Sequence, residues 1–98
     1  MTLRVEYRLE AMADIDSAYD WYEGQSAGLG ERFLTALNDH IERIRHQPAA
    51  YGIEYREVRA APIRRFPYVV YYRLDPDRVL VVAVQHARRH QRHWKSRA

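Results

Sequence analysis

Eight polar residues in the second half of the chain are of the types that phosphoryl chemistry needs. Arg56, Glu57 and Arg59 lie close together, Arg64 and Arg65 follow, and His86, Arg88 and Arg89 come directly after the most apolar run. If the three segments bearing them are neighbouring antiparallel strands, the groups converge. Clustered guanidinium groups can then stabilise a phosphorane-like charge, while His86 or Glu57 moves a proton. The plainer reading is that arginines alternating along a half-exposed sheet form its solvated face. Arg65 and His86 fit that reading less well, because they adjoin the most apolar segments.

The other polar constellations are weaker. His86, His90 and His93 have the i, i+4, i+7 spacing of one helical face, which is compatible with a metal site. Their neighbours are arginines, which disfavour a bound cation, so neither a metal nor any other cofactor is expected. Tyr68, Tyr71, Tyr72 and Trp94 can stack on bases. On a strand, however, Tyr68, Val70 and Tyr72 share one face and Val69 and Tyr71 the other, and one face must pack on the rest of the fold. Trp21 and Tyr22 belong to the core or to a partner interface. Ser17, Ser26 and Ser96 sit in no nucleophile setting, and Gly28-Leu29-Gly30 lacks the strand and lysine of a phosphate loop.

The elements that must position these groups can be read in order. Leu3 to Tyr7 alternates like a half-exposed strand. From Ala11 the period lengthens. Ala11, Ile15, Ala18, Tyr19 and Tyr22 form one helical stripe, and Asp14, Asp16, Asp20 and Glu23 hold other faces, with acids near the helix start. The stretch from Gly24 to Gly30 breaks this helix. Phe33, Leu34, Leu37, Ile41 and Ile44 then mark a second helix that Pro48 ends, and the short join makes an antiparallel pair. Tyr55–Arg59 and Ile63–Leu74 read as strands, with a bulge or edge position at Pro67. Asp75-Pro76-Asp77-Arg78 is a turn. Val79–Val84 suits a central strand buried on both faces, so at least one of Val81 and Val82 should meet the helices. A short helical turn is expected around Gln91 to Lys95.

Composition bounds the class. The chain has 98 residues, 47 % hydrophobic and 30 % charged, which suits one small globular domain, residues 1–98. With no cysteine there is no disulfide framework and no thiolate metal site. No signal-peptide run or membrane-length stretch is apparent, so a cytoplasmic location and no membrane association are expected. The net charge of +3 conceals a polarity. Residues 1–50 hold nine acids against five Lys/Arg, a net −4, and residues 51–98 hold four acids against eleven Lys/Arg, a net +7. Such a cationic half points to an anionic partner, either nucleic acid or an acidic protein segment.

Several motifs now fall into a recognisable order. They are Asp14-Ile15-x-x-Ala18-x-x-Trp21-Tyr22, Gly28-Leu29-Gly30-Glu31-Arg32-Phe33-Leu34, Ile44…Pro48 and Val58-Arg59. Then come Arg65-Phe66-Pro67-Tyr68-Val69-Val70-Tyr71-Tyr72 and Val82-Ala83-Val84-x-His86-x-x-Arg89…Trp94. Together they span nearly the whole chain, which resembles the RelE/ParE superfamily of bacterial toxin–antitoxin modules. The resemblance implies an α+β fold ordered β-α-α-β-β-β, with an antiparallel sheet flanked by a helical hairpin. It also implies a plasmid-stabilisation toxin neutralised by a small antitoxin encoded nearby.

Two activities occur in the superfamily. RelE-like members cut mRNA on the ribosome, and ParE-like members poison DNA gyrase. The residues favour the ParE-like branch. The slot where RelE-like nucleases carry an arginine before the third-strand tyrosine looks like Tyr68. Their tail tyrosine appears as Trp94, whose indole cannot accept a proton. A nuclease would rest on Arg59, Arg65, His86 and Arg89. A gyrase-binding surface would draw on Arg65, His86, Arg88, Arg89, Arg92, Trp94 and Lys95, and an antitoxin surface on Trp21, Tyr22, Arg56 and Arg59. The third reading is a non-toxic relative that binds nucleic acid or an acidic peptide.

Overall fold

The computed structural model describes residues 3–89 and 92–98, and of Arg92 only the backbone. Strand β1 (Arg4–Tyr7) leads into helix α1 (Leu9–Gln25), which joins helix α2 (Leu29–His46) through a tight turn. At the turn Gly28 takes φ 87°, a left-handed conformation open to glycine. Gly30 lets the helices approach closely. A Cβ there would come within 2.6 Å of Glu23 Cγ and 2.9 Å of the Tyr19 ring. The Gly30 amide donates instead to Glu23 Oε1 at 2.8 Å.

Each helix buries the expected stripe. Ala11, Ala18 and Tyr22 are buried on α1, and Phe33, Leu37, Ile41 and Ile44 on α2. Arg43, Arg45 and His46 occupy the last turn of α2, where cations complement the carbonyl end. The expected acid-rich start of α1 reduces to Glu10. Asp14 lies beyond the first turn and has a different task, described below.

Beyond α2 a 3-10 turn (Pro48–Ala50) leads to β2 (Ile53–Tyr55), β3 (Val58–Pro62), β4 (Tyr68–Asp75) and β5 (Arg78–His86), followed by α3 (Arg92–Lys95). The sheet order is β1-β5-β4-β3-β2. The four later strands are antiparallel neighbours, whereas β1 runs parallel to β5, so the sheet is mixed. The expected all-antiparallel sheet is corrected at that edge. A helical hairpin between β1 and the rest leaves strand direction free, and only docking sets it.

Two strand boundaries also differ. Tyr55–Arg59 is not one strand but a hairpin, because Arg56 takes φ 52° and reverses the chain between β2 and β3. No Gly, Asn or Asp marks this turn, so the usual signal is missing. Ile63–Leu74 begins as a bend. Arg65 takes φ 73°, Tyr68 N donates to Phe66 O at 2.7 Å, and regular pairing starts at Tyr68. Pro67 sits in that bend and its carbonyl accepts from Ala87 N at 2.8 Å. The ladder irregularity lies further on, where Tyr72 faces Val81 and Tyr71 faces Ala83. The Asp75–Arg78 turn is present as expected.

Packing resolves which face each strand residue uses. Val70, Tyr72, Val79, Val81 and Val84 join the helices in one core, with Tyr68 packed against it. Val58, Val69, Tyr71 and Ala83 form a second cluster on the opposite face, under Trp94 of α3. The run from Val79 to Gln85 is therefore buried throughout, as a central strand covered on both sides requires. Among the described residues no helix is long and apolar enough to cross a membrane.

Candidate functional site

The eight polar residues do not form a single cluster: the bend bearing Arg64 and Arg65 adjoins the segment after His86 through the Ala87 N to Pro67 O hydrogen bond, but Arg59 stands apart. Arg59 lies on the helix-side face opposite Tyr72, whereas His86 lies opposite Tyr68. Those partners are four positions apart on β4, which is about 13 Å of strand. Arg59 is also committed locally. Its Nη1 donates to Tyr51 O at 2.6 Å and lies 3.5 Å from Ala49 O, tying β3 to the 3-10 turn. Tyr72 OH donates to Pro48 O beside it. Burial pushes the Tyr72 hydroxyl up to about 12, so it stays protonated. This corner braces the fold.

His86 is half-buried. Its ring stands edge-on to Tyr68 with centroids 5.4 Å apart, and Nδ1 accepts from Arg88 N at 3.1 Å. Arg89 donates to Gln85 Oε1 at 3.2 Å. Arg56 and Glu57 are exposed at the β2–β3 turn, with the Arg56 guanidinium 5.1 Å from the Tyr55 ring. On the same ring, Lys95 Nζ stands 4.8 Å from the centroid. Arg88 is exposed. The side chain of Arg92 lies outside the described residues, as does His90, so the three-histidine spacing cannot be placed.

The two tryptophans have opposite fates. Trp21 is 58 % exposed, edge-on to Tyr22. Tyr22 itself is walled in by Phe33, Phe66 and Tyr68, so the expected partner contact at Tyr22 gives way to a core role. Trp94 is 1 % exposed and stacks on Tyr71 at 4.1 Å and 19°. It was expected in a target-binding surface and instead seals the outer face of the sheet. A cationic tail conceals this role in sequence, because its neighbours are all polar.

Asp14 is a structural residue, although the apolar pattern sets it on an outer face of α1. Its Oδ2 accepts from Val84 N at 3.0 Å and from Arg97 Nη1 at 2.7 Å, and its Oδ1 from Arg97 Nη2 at 3.3 Å. Arg97 Nη1 also reaches Val82 O at 3.3 Å. Strand β1 ends opposite Val81, leaving the β5 edge bare from there. Asp14 and Arg97 cover that edge and fasten the tail. Asp14 follows Ala11 by three and precedes Ala18 by four, so it lies on the buried stripe, and that spacing was the available signal.

His40 was missed for the same reason. It lies between Leu37 and Ile44 on the buried face of α2, and its Nε2 donates to Ala61 O at 3.2 Å. Burial holds its pKa below the ordinary histidine value, and the nearby Arg43 and Arg64 charges push the same way against that hydrogen bond. His40 lines a cleft of about 620 Å³ between α2 and the β3–β4 bend. Arg32, Arg43, Arg64 and Arg65 line it too.

The fold is an open-ended mixed sheet with a helical hairpin on one face and a tail helix on the other. The chain belongs to the ParE toxin family of the type II toxin–antitoxin system parDE, whose model matches residues 5–91. Among solved structures it is similar to the chromosomal ParDE toxin–antitoxin system of P. aeruginosa. There the TM-score is 0.77 at 16 % identity, covering 87 % of this chain and 96 % of that one. It is also similar to the RelBE2 toxin–antitoxin complex of Mycobacterium tuberculosis. That match has a TM-score of 0.63 at 20 % identity, covering 88 % of this chain and 99 % of that one. At these identities the likeness shows the fold. No curated protein matches the sequence.

Proposed function

We propose that this ParE-family toxin acts by inhibiting DNA gyrase and is neutralised by a small antitoxin, rather than by cutting mRNA. The observation that carries the reading is the outer face of the sheet. Val58, Val69, Tyr71 and Ala83 lie there beneath Trp94, an apolar surface with a plug. Burial raises the pKa of Tyr71, the hydroxyl under that plug, so it holds its proton. The polar residues that would serve a nuclease are partly committed elsewhere. Arg59 is tied to backbone carbonyls, Arg89 to Gln85, and Arg65 points to the cleft by α2. General acid–base catalysis needs its groups within hydrogen-bond reach of one substrate, and Arg59, about 13 Å along β4 from His86 and committed to backbone carbonyls, is not placed to complete the set.

Binding to a large protein target makes no such demand. It needs a surface, and cationic groups for one are exposed at both ends of the sheet, Arg88 beyond β5 and Arg56 with the half-buried Lys95 around the Tyr55 ring. An antitoxin partner is supported by the ParDE and RelBE2 structures, both toxin–antitoxin assemblies. The exposed Trp21, near the hairpin turn, gives such a partner an aromatic anchor. Inducible expression in cells with two parallel readouts tests the reading. Lost negative supercoiling with intact transcripts is expected. Transcripts cleaved on ribosomes, with supercoiling unchanged, would overturn it in favour of the RelE-like nuclease, and growth without either effect would favour a non-toxic relative.

A further inference from the structure

We infer that the cleft between α2 and the β3–β4 bend binds a single strand of nucleic acid through its phosphates. The first observation is charge. Arg32, Arg43, Arg64 and Arg65 all line this cleft, and all four are exposed. Other arginines are paired with acids, Arg4 with Asp77, Arg45 with Glu42, Arg73 with Asp75, Arg78 with Asp75 and Glu6, and Arg97 with Asp14, whereas Arg56 and Arg88 are exposed singly on other parts of the surface. No such ion pair is formed by the four cleft arginines among the described residues. Against these four cations the cleft holds one acid, Asp39, so it keeps an excess of positive charge that favours an entering anion.

The second observation is spacing. Leu29, Arg32, Ala36, Asp39, His40 and Arg43 recur at intervals of three and four, so one side of α2 forms a wall. Arg32 and Arg43 are eleven residues apart on that helix, which is about 16 Å. A lone phosphate cannot reach both. A polyanion with its charges strung along a backbone can, with Arg64 and Arg65 engaging it from the opposite wall. The bend is shaped for this. Arg65 is held at φ 73°, a conformation costly for a side chain other than glycine, and such strain persists where the surroundings impose it.

The third observation distinguishes a nucleic-acid strand from an acidic peptide. Asp39 lies among the arginines. Its carboxylate disfavours any anion directly against it, but it accepts hydrogen bonds from base amino groups or ribose hydroxyls, donors that the carboxylate side chains of an acidic peptide lack. Phe66 and the guanidinium planes give flat surfaces for bases. Thr35 adds a hydroxyl that can donate to a phosphate oxygen. Apolar, planar and acidic groups inside a cationic frame match a nucleotide chain better than they match a glutamate-rich segment.

The proposal does not rest on the gyrase reading, since strand binding and gyrase inhibition can each fail without the other. The test uses the full chain, freed of any co-expressed partner, and a fluorescein-labelled oligoadenylate RNA of about six to ten nucleotides, within the usual range of single-strand sites and carrying both base amino groups and ribose hydroxyls. Anisotropy is read across a salt series. Log K should fall with log salt at about −0.7 per phosphate contacted. Arg32→Gln, Arg43→Gln, Arg64→Gln and Arg65→Gln should each weaken binding several-fold and shallow the slope by about 0.7. Arg4→Gln and Arg73→Gln, whose native side chains pair with Asp77 and Asp75 instead of lining the cleft, should do neither. Thermal unfolding of each variant confirms that it is folded. Absence of binding at low salt overturns the proposal. So does an equal effect from the control variants, which would place the binding elsewhere, or preferential displacement of the oligonucleotide by a polyglutamate peptide.

Discussion

Asp14 on α1 and Arg97 at the chain's end are joined by two hydrogen bonds, 2.7 and 3.3 Å long, across 83 positions of sequence. Their side chains are only 11 % and 17 % exposed. The same carboxylate caps the Val84 amide, so one acid from the first helix holds both a strand edge and the tail. Two further contacts join the acidic first half to the basic second half, Glu6–Arg78 and Arg4–Asp77, the latter with its polarity reversed.

Asp14→Ala should be strongly destabilising. It leaves the Arg97 guanidinium without its carboxylate and the Val84 amide without an acceptor. Breaking a buried pair on one side costs about 3 kcal/mol or more. Arg97→Ala should cost less, because Asp14 keeps the Val84 hydrogen bond. The double variant should be less destabilised than the sum of the two. Urea unfolding of the four proteins measures this, and additive effects would mean that the pair does not act as a unit.

The tryptophans should report separately. With Trp21→Phe, the remaining emission comes from buried Trp94 and should be blue-shifted and resistant to iodide. With Trp94→Phe, the emission comes from Trp21 and should be red-shifted and readily quenched. The reverse pattern would show that α3 does not stack on Tyr71 in solution.

His40 should make the fold sensitive to mild acid. Its pKa in the folded chain lies below the ordinary 6.5 because of burial. Between those two values the unfolded chain binds a proton that the folded chain refuses. This contribution to stability is therefore fully present above 6.5 and is lost as pH falls toward the folded value. The groups facing His40 are the Ala61 carbonyl, Tyr51, Arg43 and Arg64, with Asp39 beside the same cleft. His40→Gln should flatten unfolding free energy against pH across that window. Parallel curves for the two proteins would assign the acid sensitivity to another group.

Truncation is a poor probe of the cationic tail, because removing residues 88–98 also removes Trp94 and Arg97. Charge reversal is cleaner. Arg88→Glu combined with Lys95→Glu should reduce growth arrest strongly while shifting stability by only about 1 kcal/mol or less, since Arg88 is exposed and Lys95 contributes a single contact with the Tyr55 ring. Unchanged toxicity would remove these residues from the target surface. His86→Ala should weaken arrest only modestly, whereas complete loss would revive the nuclease reading.

Much of the architecture was legible because it rests on local periodicity. The stripes of α1 and α2, the doubly buried run from Val79 to Val84 and the Asp75–Arg78 turn each follow from spacing that one segment contains within itself. The motif order likewise sufficed for the family, since the match spans residues 5–91. The β2–β3 hairpin was hidden because an arginine takes the left-handed position that glycine or asparagine usually signals. The parallel pairing of β1 was hidden because strand direction across a two-helix connection is set by docking. The roles of Asp14, Arg59, His40 and Trp94 depend on partners between 8 and 83 positions away or on the opposite side of the sheet. Sequence alone determined which residues must be buried and which are charged. The tertiary structure decided which charges meet, because a side chain's partner is fixed by proximity in space, and proximity at that range is created only when the helices and tail close over the two faces of the sheet.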